Sequence, residues 1–76
     1  MKELVQYLAR NLVEDPEAVE VSEVASEQTT VLKLKVSEKD KGRIIGKQGR
    51  TIRAIRALLA AASAKTNKRV ILELVE

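Results

Sequence analysis

Apolar residues at helical spacing mark the beginning of the chain. They lie on one side of a helix that the pattern predicts over residues 2–13. That side is formed by Leu4, Val5, Leu8 and Leu12. Asp15 precedes Pro16, and the residue before a proline is disfavoured in helical geometry. The sequence therefore predicts a first helix that ends before this Asp–Pro pair.

Two stretches with alternating apolar residues follow the first helix. Residues 29–36 alternate strictly, with Leu32 and Leu34 on the same face, and this pattern predicts a half-buried strand. Residues 18–25 alternate less regularly, because Val24 is out of step with the valines before it. We expect a strand there too, and the out-of-step Val24 indicates either a bulge or the end of the strand.

The second half of the chain begins with a signal for a helix start. Ser37 and Asp40 have the spacing of a capping box, although Asp replaces the preferred Glu. A short helix is therefore predicted from about Glu38 toward Ile44. A turn that contains two glycines interrupts it.

A longer helix is predicted over residues 50–64. Its apolar side consists of Ile52, Ile55, Leu59 and Ala62. Its polar side carries Arg50, Arg53 and Arg56. Thr66 and Asn67 predict its end, since Asn tolerates left-handed backbone geometry. Residues 69–75 are rich in β-branched side chains and predict a final strand.

These elements define the expected fold class. Their order is α-β-β-α-α-β, and 76 residues have room for one domain, residues 1–76, without a linker or a repeat. We expect an α+β domain with the helices packed on one face of a three-stranded sheet.

The composition narrows the chemistry. The chain has no Cys and no His, which removes disulfides, thiolate metal sites, the commonest general base and the commonest metal ligand. We therefore expect no enzyme, no metal and no cofactor. The longest apolar run, residues 57–62, is far shorter than the ~20 residues that a membrane span needs. With no signal-peptide pattern at the N-terminus, a cytoplasmic protein is expected.

Charge is divided unevenly along the chain. The net charge is +3 and the sequence pI is about 9.5. Residues 39–56 contain seven basic side chains and one acid, whereas residues 14–27 contain six acids and no base. Such a two-sided distribution favours an anionic partner on the basic side.

The centre of the basic region is the stretch GRIIGKQGRTIRAI, residues 42–55. All three glycines of the chain fall within residues 42–49. Their spacing fits neither a P-loop nor a dinucleotide-binding fingerprint. Glycines on both sides of Lys47 and Gln48 allow another molecule's backbone to approach. The following helix start favours phosphate there. The candidate contact residues are Arg43, Ile44, Ile45, Gly46, Lys47, Gln48, Gly49, Arg50 and Arg53.

The stretch IIGKQGRTI, residues 44–52, resembles the signature of the KH domain, whose G-x-x-G loop holds about four nucleotides of a single strand. The element order is similar to the bacterial type II KH arrangement. Length and the opening MKELVQYLA resemble the small single-KH RNA-binding proteins of bacteria, the KH-domain protein A family. The resemblance implies binding of single-stranded RNA without catalysis, a homodimer, and association with a larger Jag-type protein that has its own KH domain. A post-transcriptional regulator or RNA chaperone is the role expected from it.

Other interpretations stay open on the sequence alone. The glycines could make an ordinary tight turn between helices, and the arginines could be a solvated helix face. The domain could also bind another protein, with incidental RNA contact, or bind single-stranded DNA. Tyr7 is the only aromatic residue, so that base stacking on aromatic rings is excluded as the main mode of binding.

Overall fold

The structure is a computed structural model that describes residues 1–75. Three α-helices and three strands follow one another in the predicted α-β-β-α-α-β order. They are α1 (Lys2–Leu12), β1 (Glu20–Ala25), β2 (Thr29–Lys35), α2 (Lys41–Ile45), α3 (Arg50–Ala62) and β3 (Arg69–Leu74). Single 3₁₀ turns lie between them, at Pro16–Ala18, Glu38–Asp40 and Lys47–Gly49.

The three strands form one sheet in the order β1-β2-β3. β1 and β2 form an antiparallel hairpin, in which Val21 lies opposite Leu34. β3 pairs with β2 in parallel, with Leu72 opposite Leu32. A parallel neighbour requires a crossover connection, and the whole segment of α2, the glycine turn and α3 provides it.

The core lies between the helices and one face of the sheet. Buried strand residues on that face alternate with exposed ones, as half-buried strands require. The core consists of Val5, Ala9, Val19, Val21, Leu32, Leu34, Val36, Ile44, Ile52, Ile55, Leu59 and Leu72. The opposite face carries exposed Val24, Lys33 and Ile71. The predicted fold class and the packing of the helices on one face are therefore confirmed.

Three local expectations are wrong. β1 pairs with β2 in continuous register through Ala25, so Val24 is not a bulge but a residue of the exposed face. α3 ends at Ala62, before the predicted residue 64, and Asn67 has no positive φ. The turn is held instead by Thr66, whose hydroxyl and backbone N–H both donate to the Ser63 carbonyl.

The capping box predicted at the second helical region is also wrong. Ser37 makes no side-chain cap hydrogen bond to the backbone, but its hydroxyl donates to an Asp40 carboxylate oxygen over 2.8 Å. Asp40 is completely buried and faces the end of α1 instead of the preceding helix turn. The short helix itself is present as the 3₁₀ turn followed by α2, which ends at Ile45.

Candidate nucleic-acid interface

The turn between α2 and α3 has backbone geometry that few residues adopt. Gly46 has φ 76° and ψ 172°, and Gly49 has φ 75° and ψ 15°. Gln48 also has a positive φ, 57°, and no other non-glycine residue among residues 1–75 does. Three positive φ values within four residues reverse the chain sharply between the two helices. The reversal leaves Lys47 and Gln48 exposed at its tip.

The three glycines of the region differ in how much space surrounds them. A Cβ on Gly46 would lie 2.2 Å from Thr51 Oγ1 and 2.8 Å from the Thr51 backbone nitrogen, so that no side chain fits there. A Cβ on Gly49 would meet nothing within 4 Å, and only its left-handed φ favours glycine. Gly42 lies inside α2 with open space around it. Open space beside the backbone at Gly42 and Gly49 lets a ligand's backbone approach closely.

The turn presents hydrogen-bond donors and positive charge. The N–H groups of Lys47 and Gln48 begin the 3₁₀ turn and so lack an acceptor within it, whereas those of Gly49 and Arg50 donate to the Gly46 and Lys47 carbonyls. The dipole of the 13-residue α3 adds a positive partial charge at the same place. Arg53 donates from Nη2 to the Gln48 carbonyl over 2.8 Å, which ties the tip of the turn to α3. Arg50 is exposed beside it. This combination suits a phosphate group.

A cleft of about 460 Å³ opens next to the turn, between α2, α3 and the end of β3. Its lining combines aliphatic and charged residues: Lys41, Ile45, Ile52, Arg56, Glu73 and Leu74. Arg56 donates from Nη2 to the Leu72 carbonyl over 3.2 Å and so joins α3 to the edge of β3. A flat aliphatic surface beside hydrogen-bonding groups can hold an unstacked base.

The two isoleucines that precede the turn differ in their exposure to solvent. Ile45 is 40% exposed and lines the cleft. Ile44 is 0% exposed and belongs to the core. This burial argues against the prediction that the Ile44 side chain contacts RNA, because a fully buried side chain has no surface to offer a ligand. Its role is to anchor α2 against the sheet.

The buried carboxylate of Asp40 holds α2 against the end of α1. Its oxygens accept hydrogen bonds from the backbone N–H groups of Glu14 and Asp15, both over 3.1 Å. Burial raises the pKa of this carboxyl, but the bonds from the two N–H groups and from the Ser37 hydroxyl lower it. With a further lowering contribution from the charge of Lys39, the pKa lies below its ordinary value of 3.8. The carboxylate is therefore ionised at neutral pH.

Arg43 is part of this same anchor. Its guanidinium forms an ion pair with Glu14, and its Nε lies 3.5 Å from an Asp40 oxygen. It is turned toward the end of α1, and it does not line the cleft. The placement of Arg43 thus argues against the prediction that it contacts RNA, since two carboxylates already neutralise it. Its role is to position α2 and the turn that follows.

The remaining predicted residues come together around the turn, and the structure adds others. Gly46, Lys47, Gln48, Gly49, Arg50, Arg53 and Ile45 are neighbours there. The sequence did not indicate Lys41, Glu73 or Leu74, and it indicated no cleft role for Ile52 or Arg56. The missing information was the position of the β3 edge, which depends on a parallel pairing across more than 30 residues of chain.

Within residues 1–75, no group of three or more His, Cys, Asp or Glu side chains is placed to hold a metal ion. None of the helices in this part of the chain is long and apolar enough to span a membrane.

Comparison with known proteins gives full-length matches. The profile of the KhpA/KhpB KH domain matches residues 2–74. The RNA-binding protein KhpA of Clostridium perfringens is 51% identical over 75 residues, which cover 99% of this chain and 100% of that protein. The RNA-binding protein KhpA of Chlamydia pneumoniae is 47% identical, with 100% of this chain and 97% of the relative covered.

One solved structure shares the fold. The crystal structure of a single-residue variant of Aquifex aeolicus Era bound to GDP.AlF4- superposes with a TM-score of 0.59 and 27% sequence identity. The match covers 96% of this chain but only 28% of the Era chain. The chain thus corresponds to about a quarter of that protein.

Proposed function

Because the chain belongs to the KhpA/KhpB KH-domain family, we propose that it binds short single-stranded RNA through the turn Gly46–Gly49 and the adjoining cleft. The observation that carries this proposal is the geometry of the turn. Positive φ values at Gly46, Gln48 and Gly49 turn the chain so that Lys47 and Gln48 are exposed just before α3, where their backbone N–H groups lack an acceptor within the turn. The name RNA-binding protein KhpA, which the relatives share, supports the same ligand class.

The proposed mechanism divides the ligand between two surfaces. The turn takes the sugar-phosphate backbone, because N–H donors, the helix dipole and the side chains of Lys47 and Arg50 are all complementary to phosphate. The cleft takes the bases, which rest on Ile45, Ile52 and Leu74. The absence of Phe and Trp makes aliphatic contact the apolar part of this interaction. A site of about four nucleotides contacts few phosphates, and we expect weak binding by one domain.

The test is a fluorescence-anisotropy titration of short random single-stranded RNA. The variant Lys47→Asp/Gln48→Asp places two negative charges at the tip of the turn and should abolish binding. The control Arg10→Asp/Gln28→Asp changes the net charge equally at exposed positions away from the turn and should keep most of it. Circular dichroism checks that both variants fold. Equal binding by the two variants would refute the assignment of the turn.

The same titration with single-stranded DNA decides the ligand class. The 2′-hydroxyl distinguishes RNA from DNA. Tighter binding of RNA than of DNA is expected, and equal binding would widen the proposed ligand to any single strand.

Because one domain is expected to bind RNA weakly, self-association would increase the affinity of the protein for RNA. A homodimer, or a complex with a Jag-type KH protein, would join two sites and raise the effective concentration at the second. As a dimer of this kind the protein would act in the bacterial cytoplasm as a post-transcriptional regulator or RNA chaperone. Exposed Leu58 on α3 offers an apolar contact for such an assembly. Sedimentation that shows only monomer at tens of micromolar, with and without RNA, would contradict the homodimer.

The second candidate function is a protein-interaction module that contacts RNA incidentally. It is favoured by the exposed aliphatic residues of the sheet face, Val24 and Ile71, which RNA binding at the turn leaves unused. The Lys47→Asp/Gln48→Asp variant separates the two functions, because it should spare a protein partner that binds on the sheet.

A further inference from the structure

The basic region of the folded chain extends well beyond the glycine turn. Residues 41–72 contain nine of the fourteen Lys and Arg residues and none of the eleven Asp and Glu residues. This acid-free segment includes α2, the glycine turn, all of α3 and the turn from α3 to β3. The last three of its basic residues, Lys65, Lys68 and Arg69, lie at the end of α3 opposite to the glycine turn.

We propose that Lys65, Lys68 and Arg69 form a second phosphate contact for the same RNA strand, so that the binding surface continues from the glycine turn along α3. This inference rests on the proposed function, and it specifies how long the RNA must be to reach both contacts. We refer to the three residues as the distal basic cluster.

The side chains of the distal basic cluster are available to a ligand. All three residues are exposed. Ion pairs within residues 1–75 engage Lys35, Lys41 and Arg43, but none of them engages the cluster. The charge of the cluster is therefore not neutralised by the described part of the chain, and its field adds to that of the arginines on α3.

Side chains along α3 connect the two ends. Arg50, Arg53 and Arg56 are spaced three residues apart on α3. Because a helical turn has 3.6 residues, each of these side chains points in a slightly different direction from the one before it. Arg53 is bonded to the tip of the glycine turn, whereas Arg56 already reaches the Leu72 carbonyl on β3. β3 then leads back to its first residue, Arg69, which strand alternation places with Ile71 on the open face of the sheet at its edge. A strand that leaves the glycine turn thus meets Arg53 and Arg56, together with the single acid Glu73 at the cleft, before it reaches the distal basic cluster.

The distance fixes the length of RNA that is needed. The 13 residues of α3 span about 20 Å at 1.5 Å per residue. At the stacked spacing of ~3.4 Å per nucleotide, this corresponds to about six nucleotides at most, because unstacked nucleotides cover more length. Added to the roughly four nucleotides at the turn, a strand of about ten nucleotides is long enough to reach both contacts.

A second cleft lies beside Lys68, and its lining indicates whether the RNA strand can enter it. It measures about 250 Å³ and lies beneath the end of α3. Its lining includes Lys68 and the hydroxyl-bearing residues Ser63 and Thr66, but also the Glu23 carboxylate. Glu23 repels a phosphate inside the cleft. The strand is therefore expected to pass outside this cleft, over the exposed side chains of the distal basic cluster.

The experiment compares two RNA lengths and two matched variants. Single-stranded RNAs of four and twelve nucleotides of random sequence are titrated by anisotropy against the full chain. The test variant is Lys65→Gln/Lys68→Gln/Arg69→Gln. The control Arg10→Gln/Lys33→Gln/Lys35→Gln removes the same net charge from exposed positions on α1 and on the open face of the sheet.

The expected result is specific to the long RNA. The test variant should lose about tenfold or more in affinity for twelve nucleotides, with little change for four. Its salt slope should fall by about two, at roughly 0.7 for each lost phosphate contact. The control should retain its affinity and its slope within a factor of about two. A longer RNA offers more positions at which the protein can bind, and this alone raises the apparent affinity. The increase is the same for all variants, so it cancels in this comparison.

Two outcomes would overturn the proposal. If the test variant and the control lose the same affinity for twelve nucleotides, the effect is that of net charge alone, and the second contact is wrong while the glycine turn stands. If the unchanged protein binds neither length, the proposed function fails and the second contact fails with it. Circular dichroism of each variant verifies the fold.

Discussion

The turns at the two ends of α3 are both basic, but they are built differently. The first, Gly46–Gly49, has three positive φ values and depends on the absence of side chains. The second, from Ser63 to Lys68, has ordinary backbone geometry and is held by hydroxyl hydrogen bonds. The first turn can therefore offer a ligand its backbone, as proposed, whereas the second can offer only its long side chains. Substitutions that add a Cβ should damage the first turn, and substitutions that remove charge should damage the second.

The largest effect is expected at Gly46. In Gly46→Ala the new Cβ would overlap Thr51, and the backbone would keep a conformation that side chains disfavour, so that the free energy of unfolding should fall by about 3–5 kcal/mol. Gly49→Ala is the matched control, since its Cβ has open space and meets only the left-handed penalty of about 1–2 kcal/mol. Urea denaturation measures both. Equal losses would mean that the contact with Thr51 does not limit the turn.

The next largest effect is expected at Asp40, which holds α2 in place before the first turn. Asp40→Ala removes the acceptor of the Glu14 and Asp15 N–H groups and should lower the melting temperature at neutral pH. Because the folded pKa of Asp40 lies below 3.8, ionised Asp40 stabilises the fold above that pH, and this stabilisation is lost as the pH falls through the folded pKa. The difference between variant and parent should therefore shrink in acid. Thermal melts from pH 7 to pH 2 test this.

Exposed Glu17→Ala is the control for the acid series. Its melting temperature should follow that of the parent at every pH. A difference for Asp40→Ala that stays constant down to the lowest pH would show that the charge of Asp40 does not contribute.

A smaller effect is expected at the second turn. Thr66→Ala removes the hydroxyl that donates to the Ser63 carbonyl over 2.9 Å, and the free energy of unfolding should fall by about 1 kcal/mol. Thr66→Ser keeps the hydroxyl and should stay close to the parent. Urea denaturation of the two variants separates the hydrogen bond from the lost methyl group, and a larger loss for Ser than for Ala would contradict the role of the bond.

The smallest effect is a gain in stability. Gln48 has φ 57°, and Gln48→Gly relieves its left-handed strain but increases the freedom of the unfolded chain, which leaves a net gain of about 0.5 kcal/mol. RNA affinity should change little, because the proposed contact at this position uses the backbone. A strong loss of affinity with an intact fold would instead assign the contact to the Gln48 side chain.

The sequence predicted the first turn well because its signals are local. Glycine at 46 and 49, the isoleucine pair before them and the periodic apolar side of α3 all act over a few residues. The order of elements and the packing of helices on one face follow from the same short-range patterns. The pattern did not decide which of the two adjacent isoleucines is buried, and the burial of Ile44 argues against the contact predicted for it.

The parts that were missed depend on residues far apart in the chain. Asp40 was interpreted as a helix cap, but its partners lie 25 and 26 residues earlier. Arg43 was expected to contact RNA for its charge, and its ion pair with Glu14 could not be inferred from spacing. The cleft requires the edge of β3 beside α3, and no local signal specifies a parallel pairing of β2 with β3.

That parallel pairing has a consequence for the order in which the protein forms. The hairpin of β1 and β2 can close early, since a short turn joins its strands, but β3 can join only after the chain from residue 36 to 68 has crossed over the sheet. Closing this long loop lowers the entropy of the chain before the contacts between β2 and β3 can stabilise it. The proposed binding segment is therefore also the crossover that completes the sheet. A change in the glycine turn should alter the refolding rate as well as the affinity for a ligand.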